Sequence, residues 1–500
     1  MTSTKNSSGN NETSGIFSHS LIYAAGNIMR QLVGFIMLPI YTNYLAPADY
    51  GVIGLLVFAL SLIDLVFGAR LLQAVPKFYY EKSTLVDQNA TVSSALILTT
   101  AISVITMSVV LMLTEQASVF LFSTDQFDLV IAFFAVQLVT TAVENYGLLY
   151  IRIERRPWLF VSFGAAKLLL QLGMNIWLLV YEDMGVLGIA ISGAVSTTVL
   201  ALLLGAYAVV KVGLAWRWQY ALEQVKFCIP LWLAGFAALY TGSANRYYMN
   251  EFATLSDVGL FELAVKFSAI LTTLIWMPFS QFWQTESFSI YNNSDRAPEI
   301  FGNVFQFITL LLMVAAVGIS LFSSPIIRLM ADSAYYSAAD AVSFLAFSAV
   351  FWCLAFYANF SFLATGATRW VSRINYSVAV VATLLFFALI PLFGFIGAAI
   401  AMLLVRVFQF AFTVIKAKEY FDMELELAPL GLMLLVAAVG IVVASSFPTT
   451  SIISEIGYKI LVFVPVFLCL LGATLVSARN RSIAMDYWLL VRLWLRRRFN

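Results

Sequence analysis

The sequence predicts an all-helical integral membrane protein with about fourteen transmembrane helices, in two parallel six-helix lobes followed by two extra C-terminal helices. Hydrophobic residues make up 61% of the 500 residues and charged residues 11%, which is typical of membrane proteins and not of soluble domains. Long apolar runs recur along the whole chain, and one motif near residue 44 returns near residue 252. These three observations predict the fold class.

The apolar runs are long enough to cross a bilayer as helices, which takes about 20 residues for roughly 30 Å of hydrocarbon. The alternating apolar and polar pattern of a transmembrane β-barrel is absent from the sequence. The predicted spans are 18–43, 48–72, 90–113, 127–151, 157–181, 185–210, 224–250, 256–284, 300–322, 338–365, 370–392, 395–418, 428–447 and 457–478.

The two ends of the chain are polar or basic. Residues 1–17 lack the basic and apolar regions of a signal peptide and are expected to form a disordered cytoplasmic tail. Residues 479–500 mix Trp and Leu with Arg, which predicts a basic interfacial helix on the cytoplasmic leaflet. Cys228, Cys353 and Cys469 each lie in an apolar run, so no disulfide framework or zinc site is expected.

Lysine and arginine are distributed unequally between alternate loops. With a cytoplasmic N-terminus, the inside segments hold 21 of these residues and the outside segments hold two, Arg328 and Lys459. Cytoplasmic loops are the positively charged ones in membrane proteins. The sequence therefore predicts that both termini are cytoplasmic.

Two similar stretches, YLAPADYGVIGLL at 44–56 and FATLSDVGLFELA at 252–264, each contain the chemistry of a helix start. Pro47 suits the first helical position and Asp49 the first turn, where the helix dipole favours a negative charge. Thr254 and Asp257 have the spacing of a capping box. We expect these stretches to begin the second and eighth helices at the outer surface.

A second pair of stretches has nearly the same offset. GVLGIAISG at 185–193 resembles GFIGAAIAM at 394–402, and each would open the last helix of a six-helix lobe. The predicted N-lobe is 18–211, the C-lobe is 224–418, and the extra helices thirteen and fourteen occupy 428–478. Lobes of six helices enter the membrane from the same side, which makes them parallel repeats of the kind found in transporters.

The opening of the chain, residues 20–81, resembles the polysaccharide-transport family that includes Wzx-type O-antigen flippases. That family belongs to the multidrug/oligosaccharidyl-lipid/polysaccharide exporter superfamily. Its loose L-x-P-x-[DE]-[YF]-G signature is met by Leu45, Pro47, Asp49, Tyr50 and Gly51. The resemblance implies export of a polyprenyl diphosphate-linked glycan across a bacterial inner membrane, for lipopolysaccharide or exopolysaccharide biosynthesis. It also implies membrane lipid and other polysaccharide-assembly proteins as partners.

Charged residues inside the predicted spans are the candidates for binding cargo, because a charge near the bilayer centre costs about 2.5–3.5 kcal/mol. Cations outnumber acids there by two, which favours an anionic cargo such as a diphosphate. A cationic multidrug exporter would be expected to have an excess of buried carboxylates. The cations are Arg30, Lys167, Arg246, Lys266 and Arg406, and the acids are Asp64, Glu144 and Glu262.

Arg30 shares a helical face with Asn27 and Gln31 and has a predicted depth similar to that of Asp64. Either Arg30 forms a salt bridge with Asp64, or it contacts the anionic headgroup of the cargo. Arg406 has no obvious acidic partner in its own lobe. Both arginines are candidate substrate-binding residues, since the planar guanidinium suits phosphate oxygens.

Lys167 lies on one face with Gln171 and Asn175, at a depth similar to that of Glu144. The pair is either static or titratable, and in the second case Glu144, like Asp64, would couple transport to an ion. Lys167 is also a candidate substrate cation, with Gln171 and Asn175 as polar cavity residues. Arg246 either binds substrate or extends its side chain to the outer interface.

Enzymatic functions are disfavoured by the residue content. The sequence contains no phosphate-binding loop, so the energy is expected to come from a proton or sodium gradient, the membrane potential or the substrate gradient. A single histidine, His19, and short outer loops argue against a glycan polymerase or ligase. We expect no cofactor, no metal and no nucleic-acid partner. Aromatic residues make up 15% of the chain; most of the tyrosine clusters are expected to be anchors at the membrane interfaces, and aromatic side chains facing a cavity could stack on sugar rings, although the sequence does not identify which.

Overall fold

The computed structural model describes residues 35, 37–67, 71–446 and 451–476. Every regular element in this part of the chain is helical, which confirms the predicted fold class. The predicted tail 1–17, most of the first span and the basic segment 479–500 lie outside the described residues. The α-helices are α1 Leu38–Tyr44, α2 Pro47–Phe67, α3 Val75–Glu81, α4 Leu85–Met112, α5 Thr114–Phe122, α6 Asp128–Ile153, α7 Pro157–Ile176, α8 Gly185–Val212, α9 Trp218–Ser243, α10 Asn245–Phe252, α11 Leu255–Leu271, α12 Met277–Asn293, α13 Ala297–Met330, α14 Ala339–Ala358, α15 Phe360–Ala364, α16 Arg369–Ala417, α17 Ala428–Ser445 and α18 Ile452–Thr474.

Eleven helices of the described chain are long and apolar enough to cross a membrane. One of them, α16, joins two helices across a kink at Gly394, whose φ of 54° and ψ of −132° are not helical, and the two parts correspond to the predicted spans 370–392 and 395–418. Helix α9 covers much of the predicted seventh span but is not among the eleven. The protein therefore has many membrane spans, and the number fourteen stays a prediction.

Local signals place several helix starts where the sequence predicts them. Helix α2 begins at Pro47, and the Asp49 carboxylate accepts a hydrogen bond from the Ala46 N–H at 3.1 Å. Helix α11 begins after Thr254, whose hydroxyl oxygen accepts from the Asp257 N–H at 3.1 Å. Each carboxylate or hydroxyl satisfies a backbone donor that the helix itself leaves unpaired.

The first glycine of the second repeated stretch has nearly the same positive φ in both copies. Gly185 and Gly394 have φ values of 55° and 54°, a left-handed conformation that glycine adopts without steric cost. A Cβ on Gly188 would lie 3.1 Å from the Cβ of Leu178, and one on Gly397 would lie 2.2 Å from the Leu389 carbonyl oxygen. Both copies therefore form a tight turn against the preceding helix, which supports the internal repeat.

Two short segments are π-helical. Trp177–Tyr181 extends α7, and Thr272–Trp276 separates α11 from α12. A π segment changes the rotational register of everything that follows it, and such segments are frequent at functional sites. Helix α11, the π segment Thr272–Trp276 and α12 form one continuous helical run, Leu255–Asn293.

The chain divides into two compact units, Met1–Gly259 and Leu260–Asn500. This division falls within α11, whereas the sequence places the change of lobe between 211 and 224; the lobe boundaries remain predictions.

In the first unit, α6 and α8 pack closely because Gly147 lies against Leu204, where a Cβ would come within 2.5 Å. The hydroxyl of Thr140 also donates to that of Thr197 at 2.9 Å. Small and hydroxylated residues are the ones that let membrane helices approach and bond.

The second unit is built on α13, α14 and α16. Their contacts bury large side chains completely, among them Leu312, Phe386 and Ile390. The two extra C-terminal helices, α17 and α18, pack on each other at Gly440, where a Cβ would lie 2.5 Å from a Val466 methyl. Both also pack on α13.

Candidate functional site

Arg406 lies on α16, about three turns beyond the left-handed Gly394. Its guanidinium donates to the side-chain oxygen of Gln409 at 2.6 Å. Gln409 is buried, and its backbone carbonyl accepts a hydrogen bond from the buried Thr413 hydroxyl at 2.7 Å. Within the described residues no carboxylate lies within ion-pair distance of Arg406. The arrangement is a half-buried cation in an apolar helix with one neutral partner, and such a charge is costly in a membrane without a counter-ion.

Lys167 of α7 and Glu144 of α6 form a close ion pair. The lysine Nζ lies 2.9 Å and 2.7 Å from the two carboxylate oxygens. The Glu144 side chain is 7% exposed and that of Lys167 is 24% exposed. The positive charge of Lys167 is therefore matched by a protein carboxylate, unlike that of Arg406.

Asn175, near the end of α7, connects three parts of the first unit. Its amide donates to the Tyr41 hydroxyl at 2.6 Å and accepts a short hydrogen bond from Ser192 of α8. Asn175 is 2% exposed. Gln171, one turn earlier on α7, is half-buried. These contacts give Asn175 a clear role in holding helices together.

Asp64 of α2 lines a cavity of about 290 Å³ in the first unit. Gln73, Thr99, Asn145 and Tyr146 also line it, and the hydroxyls of Thr99 and Tyr146 are 2.9 Å apart. A carboxylate, amides and hydroxyls supply the oxygen atoms that small hard cations prefer. No cluster of three or more His, Cys, Asp or Glu side chains suited to a metal occurs in the described chain.

Arg246 is half-buried at the beginning of α10. It donates to the Gly242 carbonyl at 3.2 Å and to the Asn245 side chain at 3.1 Å. These local contacts satisfy part of the guanidinium from its own helical turn. The other predicted site residues Arg30, Asn27 and Gln31 lie outside the described residues, so their roles stay predictions.

Sequence reasoning missed a charged cluster in the second unit. Glu455 of α18 is 5% exposed and lies 2.6 Å from Lys459 and 3.4 Å from Arg328 of α13. Arg328 and Lys459 are the two cations that the sequence assigned to outer segments. Their shared contact with Glu455 joins the extra helix α18 to α13. The i,i+4 spacing of Glu455 and Lys459 is the signal that could have revealed half of this cluster.

An aromatic pocket in the second unit was also missed. It has a volume of about 380 Å³ and lies between α12 and the helices α14 and α15. We call it the aromatic pocket and define it by its lining residues Trp276, Ser280, Trp283, Gln284, Ser287, Phe288, Phe356, Tyr357, Phe360 and Leu363.

The architecture is shared with known membrane transporters. A structure titled "Lipid II flippase MurJ, inward closed conformation" superimposes with a TM-score of 0.72 at 12% identity, covering 91% of this chain and 99% of that chain. An inward-facing multidrug resistance MATE family transporter of the MOP superfamily gives a TM-score of 0.60 at 14% identity, covering 80% of this chain and 98% of that chain. An outward-facing MATE transporter gives 0.54 at 13% identity, with coverage of 81% and 96%. The chain thus shares the fold of these proteins.

The chain belongs to a polysaccharide-biosynthesis family. A family model described as "Polysaccharide biosynthesis protein" matches residues 40–340, which is more than half of the chain. No curated protein matches it. The family match and the transporter fold together confirm the resemblance to lipid-linked polysaccharide flippases.

Proposed function

We propose that this protein is a flippase that moves a polyprenyl diphosphate-linked oligosaccharide from the cytoplasmic to the outer leaflet of a bacterial inner membrane. The observation that carries the proposal is Arg406, a cation in a membrane span that has no carboxylate of the described residues beside it. A diphosphate brings the negative charge that this arginine lacks, and the guanidinium fork can bond two of its oxygens. The family and the fold support the same class of cargo.

The proposed mechanism is alternating access by the two predicted lobes, 18–211 and 224–418, with both termini in the cytoplasm. Parallel repeats of this kind move against each other in other transporters. We expect an ion gradient to drive the cycle, with proton or sodium coupling at Asp64 or Glu144. The oxygen-lined cavity beside Asp64 supports a coupling role for that carboxylate. We expect no enzymatic activity.

The function is tested by identifying the lipids that purify with the protein and by depleting the protein in cells that make a surface glycan. We expect mass spectrometry to find polyprenyl diphosphate-linked sugars in the purified protein. Depleted cells should accumulate the same lipid-linked glycan in the cytoplasmic leaflet. Normal glycan export together with increased sensitivity to cationic drugs would instead identify a multidrug exporter, the second candidate, which shares the fold.

Replacing Arg406 with leucine is expected to abolish export while leaving the protein as stable as the wild type or more stable. A half-buried charge within a membrane span destabilises the folded state when it has no counter-ion, so its removal relieves that cost. Arg406→Lys should keep part of the activity because the charge remains while the bidentate fork is lost. Export is measured as the outer-leaflet fraction of lipid-linked glycan, and stability as the thermal midpoint of the purified protein.

The matched control for Arg406 is Lys418→Ala. Lys418 follows α16 directly, has a side chain that is 73% exposed, and faces Asp422 at 3.7 Å. Exposed pairs of this kind contribute roughly 0–1 kcal/mol, so this variant should export normally. If Arg406→Leu exports fully at ordinary abundance, Arg406 is not a cargo-binding residue, and Arg30 is then the remaining candidate.

A further inference from the structure

We infer that the aromatic pocket binds a sugar ring of the glycan, as a second contact separate from the cation that meets the phosphates. The inference rests on the proposed function and assigns a residue set to its glycan. The pocket volume of about 380 Å³ falls within the usual range for small-molecule sites, about 300–1,000 Å³.

The pocket is lined by aromatic rings, some of which pack on one another. Trp283 and Tyr357 stack with ring centroids 5.5 Å apart and an interplanar angle of 13°. Phe279, which is not a lining residue, stacks on Trp283 with ring centroids 5.9 Å apart and an angle of 14°. The Trp276 ring meets Phe356 edge-on at 5.9 Å. The C–H face of a pyranose ring is apolar and carries partial positive charge, so it is attracted to the electron-rich face of an aromatic ring.

The pocket also has the polar groups that a sugar requires. Ser280, Gln284 and Ser287 line it from α12, at spacings that place them on the same helical face as Trp276 and Trp283. Trp283 is 6% exposed, and its indole N–H is buried and has no acceptor among the described residues. A buried donor without a partner costs about 1–3 kcal/mol. A sugar hydroxyl in the pocket supplies the type of acceptor that this donor lacks.

The position of the pocket along its helix separates a sugar from a lipid tail. The continuous run Leu255–Asn293 has a rise of roughly 58 Å, well beyond the roughly 30 Å of a hydrocarbon core. The run becomes polar near Gln281, with Gln284, Glu286 and Asn292, inside the stretch that lines the pocket. In the predicted topology this end of the run is cytoplasmic, where the glycan of a lipid-linked precursor lies before export.

The π segment Thr272–Trp276 explains how the face is formed. It ends at Trp276, and α12 begins at the next residue, Met277, with Pro278 as its second residue. The wider turn changes the rotation of α12 about its axis. The lining side chains between Trp276 and Ser287 then share one face toward Phe356 and Tyr357. Removing the π segment would rotate this face away from α14.

The first test measures sugar binding directly. The protein is purified in lauryldimethylamine oxide, because maltoside detergents carry sugar headgroups. N-acetylglucosamine, glucose, galactose and mannose are then examined by saturation-transfer NMR, with decyl phosphate as the lipid-like probe. We expect transfer to the ring C–H protons of at least one sugar, and roughly tenfold weaker binding by Trp283→Leu, the loss expected for one aromatic contact.

Two variants make the result specific. Trp283→Phe keeps a flat ring and should retain most of the binding, whereas Trp158→Leu removes a tryptophan of α7 that is 71% exposed and should bind as the wild type does. The inference would be overturned if Trp283→Leu bound sugar as well as the wild type does, or if the wild type bound none of the four sugars. It would also be overturned if the wild type bound decyl phosphate and no sugar.

The second test separates this inference from the proposed function. If the wild type exports lipid-linked glycan, Trp283→Leu should show an apparent KM for the glycan raised about tenfold at unchanged protein abundance. Export by Trp283→Leu with wild-type kinetics would overturn the sugar site and leave the flippase function intact. Failure of the wild type to move any lipid-linked glycan would overturn both.

Discussion

Replacing Lys167 with methionine is expected to destabilise the protein by about 3–5 kcal/mol, the usual cost of removing one partner from a buried ion pair. The reason is Glu144, whose carboxylate is 7% exposed and bonds the lysine through both oxygens. Without the ammonium group that negative charge stays buried and uncompensated. The measurement is the thermal midpoint and the abundance of the membrane protein at equal expression.

The double variant Lys167→Met with Glu144→Gln decides whether the pair is static or titratable. A static pair predicts that the double variant recovers most of the stability, because no charge is left buried, and that it also recovers export. A pair that couples transport to protons predicts recovered stability with export that no longer depends on a proton gradient. Unchanged stability in Lys167→Met alone would contradict the buried pair itself.

Much of the fold could be predicted because its signals are local or periodic. Apolar runs of about 20 residues predict spans without any tertiary information, and Pro47 and Thr254 specify helix starts through backbone chemistry next to them. The break between the predicted spans 370–392 and 395–418 is present as a kink at Gly394, whose backbone is not helical. Other irregularities of the helices were harder to predict. The π segment Thr272–Trp276 has no sequence signature of its own.

The candidate site was predictable where depth along a helix was enough. Lys167 and Glu144 were placed at similar depth by a rise of 1.5 Å per residue, and the structure brings them together. The aromatic pocket depends instead on the rotation of α12 about its axis, which the π segment changes. The contact of Arg328 with Glu455 joins residues 127 positions apart, and neither position signals the other. Such contacts follow from tertiary packing, which a periodic pattern does not encode.

The repeated stretch at 44 and 252 acquires a physical explanation in the first unit. A Cβ on Gly51 would lie 1.9 Å from the carbonyl oxygen of Leu255, and a Cβ on Gly259 would lie 1.9 Å from the carbonyl oxygen of Pro47. Pro47 and Leu255 are equivalent positions of the repeat, as are Gly51 and Gly259. Reciprocal contacts of this kind are what a two-fold relationship between two copies produces. Helices α2 and α11 therefore cross backbone to backbone at their first turns.

Replacing Gly51 with valine is accordingly expected to cause as large a loss of folded protein as any single glycine change in the described part of the chain. No Cβ fits 1.9 Å from a carbonyl oxygen of the facing backbone, so the two helices must separate. Overpacking typically costs about 1–3 kcal/mol, and here the obstacle is backbone, which cannot rotate aside as a side chain does. Gly259→Val should cause the same loss, since its surroundings are equivalent.

The control for the crossing is Gly173→Val on α7, where nothing lies within 4 Å of the added Cβ. The measurement is the abundance and thermal midpoint of each variant, with Gly51→Ala as the smallest change. Because even alanine carries the clashing atom, Gly51→Ala should be closer to Gly51→Val than to the wild type. If α2 and α11 must separate during each transport cycle, Gly51→Ala should also favour the separated state, and cysteine labelling near Ala48 would then increase in the variant. Wild-type stability and labelling in Gly51→Ala would show that the backbones do not meet at this crossing.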